Sequence, residues 1–342
     1  MSKRKLSKQQ AWRIEKIQQE KAARAAKKAS KIDSNHSALG DEIEGLVTAH
    51  YGTQVSVEAL GDEHTDKTPS RCHFRANLGS LVTGDKVIWQ RGEPYGVVVA
   101  VLPRKTELAR PDPYTQTKVI AANIDHMLIV IAPLPKPHTQ LIDRYLVAAE
   151  SAGITPILVI NKTDLITDDN QAMMAEITSL YQQLDYRVIE ASAVKQQGLE
   201  DLQGQLRDNI SIFVGQSGVG KSSLINMLIP DLDLQVGAIS DYNQKGTHTT
   251  TLSQLFHFSK GGQLIDSPGI RELGVWHFDE KTIIEGFKEL EPFIGYCKFR
   301  DCKHDNEPGC AILQAYDDGN ISDFRMASFR ALVDEVRSGG VG

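Results

Sequence analysis

The sequence predicts a multi-domain chain: a small β-barrel, then a doubly wound α/β domain, then a C-terminal α-helical module built around a metal. Three observations carry this. Residues 35–103 hold short β-like segments, residues 104–278 alternate strands with helices around a glycine-rich turn, and three of the four cysteines fall within Cys297–Cys310. A length of 342 residues agrees, being too great for one compact core. The apolar fraction of 41% and charged fraction of 24% sit near globular averages and exclude a disordered or fibrous chain. The apolar run Met127–Ala132 falls far short of the roughly 20 residues a membrane-spanning helix needs. The start, MSKRKLSKQQAWRIEK, places no apolar stretch behind its positive charges, so the expectation is a cytoplasmic protein with no membrane partner.

Residues 1–34 form a basic arm. Its first 31 residues carry eleven Lys/Arg against Glu15 and Glu20, a net of +9, whereas the rest of the chain holds 27 basic and 42 acidic groups, a net of −15. Rich in Lys, Ala and Gln with few aliphatic residues to bury, the arm is expected to be disordered or a fraying helix alone and to order on a phosphate backbone. A solubilising tail is the plainer alternative.

Within 35–103, the segments Gly45–Val57, Ser70–Asn77, Asp85–Gln90 and Tyr95–Pro103 are rich in β-branched and aromatic residues with intervening Gly. Four or five short strands in about 65 residues fit a small barrel, commonly an oligonucleotide-binding (OB) fold. An SH3-like barrel fits the periodicity nearly as well.

After a linker, Arg104–Thr117, with Pro111 and Pro113, the pattern becomes α/β. Strands are predicted at Asp125–Ala132, Pro156–Asn161, Arg187–Ala191, Ser211–Gly215, Leu252–Phe258 and Gln263–Asp266. Helices are predicted at Thr139–Ala152, Asn170–Leu184, Leu199–Leu206 and Gly220–Leu228. Residues 279–342 complete the chain with a helix, the Cys/His cluster and an amphipathic helix near Phe324–Arg337.

The run Gly215-Gln216-Ser217-Gly218-Val219-Gly220-Lys221-Ser222, followed by Ser223, matches GxxxxGK(S/T) at every fixed position. Average composition gives such a match in roughly one chain of this length per hundred. A strand before and a helix after supply the context the chemistry needs. Glycines let successive N–H groups turn inward on an anion, and the helix N-terminus adds its dipole. Lys221 then reaches the β- and γ-phosphates and Ser222 ligates Mg²⁺.

The base is read by Asn161-Lys162-Thr163-Asp164, at the carboxyl end of a buried strand. A carboxylate at Asp164 accepts two hydrogen bonds from guanine N1–H and the 2-amino group, a pair adenine lacks. Ala191-Ser192-Ala193 follows the next strand and places the Ala193 N–H at guanine O6. Asp266-Ser-Pro-Gly269 lies 44 residues after Ser222, with Asp266 toward the Mg²⁺ shell and the Gly269 N–H toward the γ-phosphate. Between them runs Lys245-Gly-Thr-His-Thr-Thr-Thr251, a polar stretch suited to a switch loop. Thr250 is the chosen Mg²⁺ ligand, although spacing does not separate it from Thr249. Ile270 follows Gly269 where many GTPases keep a water-orienting glutamine, which leaves His248 as the nearest polar candidate.

Cys297-x4-Cys302-x-His304-x5-Cys310 supplies three thiolates and an imidazole, the donor set of a closed, structural, tetrahedral Zn²⁺ site. Lys298, Arg300 and Lys303 flank it, either to meet RNA phosphates or simply as a solvated surface. Cys72 has the character of a small core residue.

The order of these parts is the most informative feature. Regulatory GTPases run phosphate loop, switch threonine, DxxG, NKxD, SA; here NKTD and SA come first. That is a circular permutation, tolerated by a domain with neighbouring termini. With these motifs in this order, the whole chain resembles the bacterial RsgA (YjeQ) family of circularly permuted, small-ribosomal-subunit-dependent GTPases. The resemblance implies an OB-fold barrel, a circularly permuted P-loop GTPase α/β domain and a zinc module. It implies His248 as the catalytic histidine beside Lys221, one structural Zn²⁺ per chain, and Mg²⁺ with GTP. It further implies GTP/GDP, the 30S subunit and 16S rRNA as partners of a monomer in late subunit maturation. The rivals are a non-catalytic RNA-binding scaffold and an ATP-using P-loop enzyme such as a kinase, the latter disfavoured by Asp164.

Overall fold

A computed structural model describes residues 39–61, 68–112, 116–229, 253–267 and 278–338. The chain divides into two compact units at Arg104/Lys105.

The first unit is a closed five-stranded barrel. Strands β1 (Glu42–His50), β2 (Gln54–Ala59), β3 (Ser70–Phe74), β4 (Lys86–Gln90) and β5 (Gly96–Val101) pair in the order β1-β2-β3-β5-β4 and return to β1. Every pairing is antiparallel except β3 with β5, the OB-like arrangement. The continuous segment 45–57 of the sequence is in fact two strands, because Gly52 takes φ +80° and turns the chain between them. Val47, Val55, Val57, Cys72, Val87, Trp89 and Val98 fill the interior, and Cys72 is the small core residue expected. Closure needs Gly45: a Cβ there would collide with the Trp89 ring and Val57. Buried Asp85 accepts from the Val82 N–H (2.8 Å) and from Arg104 Nε (2.6 Å), fixing the turn into β4.

The second unit opens with a hairpin, β6 (Glu107–Asp112) and β7 (Gln116–Ala122), where the sequence predicts a linker. Its prolines mask the pattern: Pro111 removes one donor, which a two-stranded ribbon with open edges tolerates. Next come β8 (His126–Ile131), α1 (Thr139–Ala152), β9 (Thr155–Ile160), α2 (Asp168–Gln183), β10 (Arg187–Glu190), α3 (Leu199–Leu206), β11 (Ile210–Val214), α4 (Lys221–Leu228), β12 (Gln254–His257) and β13 (Gln263–Asp266). The sheet order is β10-β9-β8-β11-β13-β12, parallel except at β12. Helix α2 begins two residues earlier than the periodicity indicates, because Thr167 and Asn170 form a capping box.

The C-terminal segment packs on α1 within the same unit. Helices α5 (Glu280–Glu285), α6 (Ala311–Asp317) and α7 (Asp323–Arg337) enclose Ile283, Phe287, Leu290, Ile312, Met326, Phe329 and Leu332, and Val147 of α1 joins that core. Beside it lies a buried ionic cluster. Arg325 of α7 forks Glu289 (2.5 and 3.0 Å), donates to Asp143 of α1, and stacks over Phe287, while the Tyr181 hydroxyl donates to Asp143 (2.7 Å). Burial opposes the charge on Arg325, yet Asp143 and Glu289 hold its pKa above the ordinary value. No helix among the described residues is long and apolar enough to cross a membrane.

Arg325→Ala leaves Asp143 and Glu289 buried without their cation, at a cost of about 3–5 kcal/mol. Urea unfolding followed by far-UV circular dichroism should show the corresponding drop in midpoint; an unchanged midpoint would contradict the role given to this cluster.

Candidate nucleotide site and metal centre

Strand β11 is buried along its length and delivers the chain into the phosphate loop at the carboxyl edge of the sheet. Gly215, Gly218 and Gly220 take φ of +136°, +81° and +91°, backbone that side chains rarely adopt. Two of them are also packed too closely for a Cβ: Gly215 against the Val130 carbonyl of β8, and Gly220 against the Asn161 amide. Buried Val219 pins the loop from beneath, while Ser217 and Gly218 are exposed. Lys221 Nζ donates to the carbonyls of Gly215 (2.7 Å) and Gln216 (2.8 Å), which sets its ammonium in the mouth of the loop. Ser222, in the first turn of α4, is buried and Ser223 half-buried.

The Asn161–Asp164 motif meets this loop directly. Asn161, buried at the end of β9, donates through Nδ2 to the carbonyls of Val219 (2.9 Å) and Gly220 (3.4 Å). Lys162, in the left-handed region at φ +58°, lays its stem along the loop and donates to the Gly218 carbonyl (2.5 Å). Thr163 donates through its N–H and hydroxyl to the Ala191 carbonyl, both at 3.3 Å. Asp164 accepts a short hydrogen bond from the buried Ser192 hydroxyl, whose oxygen in turn accepts the Lys195 N–H (3.1 Å). That chain aims the Asp164 carboxylate, and half-buried Ala193 follows immediately. Asp266 ends β13, the strand bonded to β11, and so rises at the same edge. Ser222 and Asp266 offer oxygen donors, the type a hard dication such as Mg²⁺ takes. His248, Thr249, Thr250, Gly269 and Ile270 lie outside the described residues, as does the basic arm.

Three residues at the loop escape any motif. Leu134, in the loop after β8, offers its carbonyl to Lys162 Nζ (3.5 Å), and Pro135 lies against Gly218. Tyr145 of α1 stands behind the loop; burial raises its phenol above the ordinary value, while a hydrogen bond with the Gly215 backbone works the other way. In sequence Tyr145 is one apolar position on an amphipathic helix, and no spacing distinguishes it.

The second cluster is a metal centre in its geometry. The ligand atoms of Cys297, Cys302, His304 and Cys310 all lie within 4.8 Å of one another. Cys297 and Cys310 sulfurs are 3.8 Å apart, and His304 Nδ1 is 3.5 Å from Cys297 Sγ and 3.3 Å from Cys310 Sγ. A tetrahedral metal with bonds of about 2.3 Å to sulfur and about 2.0 Å to nitrogen sets these edges near 3.8 and 3.5 Å. The residues fit such an ion. The Ala311 N–H donates to Cys297 Sγ (3.4 Å), and burial lowers the pKa of His304, which favours the neutral imidazole a metal needs.

A family model described as RsgA GTPase matches residues 101–276. The small ribosomal subunit biogenesis GTPase RsgA of Pseudomonas fluorescens (strain SBW25) is 55% identical over 97% of this chain and 98% of its own length. The protein of the same name from Hahella chejuensis is 54% identical over 98% and 97%. Among solved structures, YjeQ from Thermotoga maritima superposes with a TM-score of 0.72 at 30% identity, covering 87% of this chain and 99% of its own. YloQ, a circularly permuted GTPase, gives 0.69 at 28% identity over 89% and 98%.

Asn161→Ala removes the amide that satisfies two phosphate-loop carbonyls. It should cost about 1–3 kcal/mol in stability and speed hydrogen exchange of the amides of residues 215–221. Unchanged exchange there would show that the loop holds its shape without Asn161.

Proposed function

The chain belongs to the RsgA GTPase family, and from that premise we propose a GTP hydrolase that acts in late maturation of the small (30S) ribosomal subunit, binding 16S rRNA. On this reading the subunit stimulates hydrolysis, and the factor works as a monomer in the cytoplasm. The observation that carries the nucleotide assignment is the direct contact of Asn161 and Lys162 with the phosphate loop, with Asp164 aimed by Ser192 beside it.

Guanine sits against Asp164, which accepts from N1–H and the 2-amino group, with the Ala193 N–H at O6 and the Lys162 stem along one face. Lys221, held in the loop mouth by two carbonyls, meets the β- and γ-phosphates, and the N–H groups from Gly215 to Ser223 cradle them. Mg²⁺ supplies charge neutralisation across those phosphates, and Ser222, Thr250 and Asp266 are the residues that would hold it. Gly269 would supply a backbone N–H to the γ-phosphate. His248 orients the attacking water, because Ile270 has no group that could. The four-ligand cluster holds a structural Zn²⁺ with no open position. Arm residues 1–31, at net +9, pair with rRNA phosphates. GTP orders the switch and favours the rRNA-bound state, and hydrolysis releases the factor.

Asp164→Asn should lower GTP affinity on the order of a hundredfold, through two charge-assisted hydrogen bonds to guanine. An equilibrium titration with GTP unchanged in affinity would remove Asp164 as the base reader. His248→Ala should keep GTP affinity near wild type and lower subunit-stimulated hydrolysis by about 10²–10⁴-fold, with basal hydrolysis changed much less. Single-turnover rates with and without 30S subunits test both readings together. No stimulation of the wild type by subunits would favour the scaffold; stimulation intact in the variant would move water orientation to another group.

A further inference from the structure

The four metal ligands are not held alike. Cys310 caps the N-terminus of α6, and Cys297 receives the Ala311 N–H of the same helix. His304 lies outside that helix. It sits in the loop between Cys302 and Cys310 with φ +61°, a left-handed backbone that few non-glycine residues adopt, histidine being among those that do so more often.

What imposes it is visible on either side. The Glu307 carboxylate gathers three backbone donors: Lys303 N–H on Oε1 (3.0 Å), and Asp305 (2.9 Å) and Asn306 (3.2 Å) N–H on Oε2. From outside, Arg337 in the last turn of α7 forks Glu280 of α5 through Nε and Nη2 (both 3.0 Å) and donates through Nη1 to both oxygens of Asp305 (2.8 and 3.0 Å). Its Nη2 also donates to the Lys303 carbonyl (3.3 Å). The loop is therefore fixed at residues 303, 305 and 306, on both sides of His304, whose own backbone hydrogen-bonds the Cys302 sulfur.

We propose that Glu307 and Arg337 are positioning residues of the metal centre, which hold the His304 backbone in its left-handed turn and aim Nδ1 before the metal arrives. This rests on the zinc reading of the cluster. A loop shaped in advance does not charge its ordering against metal binding, so the clamp raises affinity without touching the ion.

Charge alone predicts the opposite sign. Binding a dication to three thiols and a neutral imidazole releases three protons and takes the cluster from zero to a net −1, so removing the neighbouring Glu307 carboxylate should strengthen binding. Positioning requires that it weaken. Zinc affinity by competition with a chromophoric chelator, on the full chain, separates the two. Glu307→Ala should bind zinc about 10–100-fold more weakly, with Glu307→Gln, which keeps one acceptor oxygen, in between. Arg337→Lys keeps the charge, loses the fork, and should weaken zinc several-fold. At saturating cobalt(II), the visible spectrum of each variant should match wild type, since the ligand set is intact. Glu307 is half-buried but belongs to no hydrophobic cluster, so its removal leaves the core untouched. A Glu307→Ala affinity equal to or above wild type overturns the proposal. A wild-type chain that takes up no zinc overturns the metal reading beneath it, and the wild-type titration alone reveals that case.

Discussion

Two loops lying 58 residues apart in the chain are joined by the side-chain amide of Asn161, which donates to the Val219 and Gly220 carbonyls. The rest of the nucleotide site depends on that junction. Gly220 must be glycine because the amide occupies the space of its Cβ. Lys162, the next residue, is thereby set along the phosphate loop, and Asp164 comes within reach of Ser192. The NKTD motif and the glycine-rich loop thus share one edge, so an error in either loop shifts both.

That edge also explains why permutation leaves the site intact. Side-by-side neighbours in the sheet, not chain order, decide which loops meet. Strand β11 lies between β8 and β13, parallel to both, with Ser211 opposite His126 on one side and Leu264 on the other. The order of strands reverses at β8 and β11, the point in an open α/β sheet where a crevice forms beyond the carboxyl ends. Cutting the chain elsewhere moves the termini without altering these contacts. Here it leaves β8 preceded by the hairpin β6–β7, and β13 leading toward the C-terminal module.

Wherever chemistry dictates residue type and spacing, the sequence was legible. The phosphate loop, NKTD, the Ser192-Ala193 pair and the Cys/His cluster follow from that constraint, and the structure brings the described members together. Fully buried parallel strands such as β8 and β9 were legible as short apolar runs. The hairpin β6–β7 was not, because Pro111 and Pro113 are the ordinary signs of a linker. Nor were Asp143, Glu289 and Arg325: charged residues in helical segments signal a solvated face, and only tertiary packing shows that these pair with one another inside. Leu134 serves through its backbone carbonyl, which any residue provides, so its identity carried no signal.

Helix α1 ties the two halves of the second unit together. Tyr145 faces Gly215 of the phosphate loop, whereas Asp143 and Val147, one turn apart on another face, meet Arg325 and the C-terminal core. Gly286 lets α5 approach Val147 so closely that a Cβ would clash. A fourteen-residue helix gripped on both sides moves as a body. If the C-terminal module shifted against the sheet, it would either break the Asp143–Arg325 pair inside an apolar core or carry α1 with it. The first route strands buried charge; the second moves Tyr145 relative to Gly215. The cheaper of the two runs through the wall of the phosphate loop, so the C-terminal module and the edge of the sheet are mechanically coupled through α1.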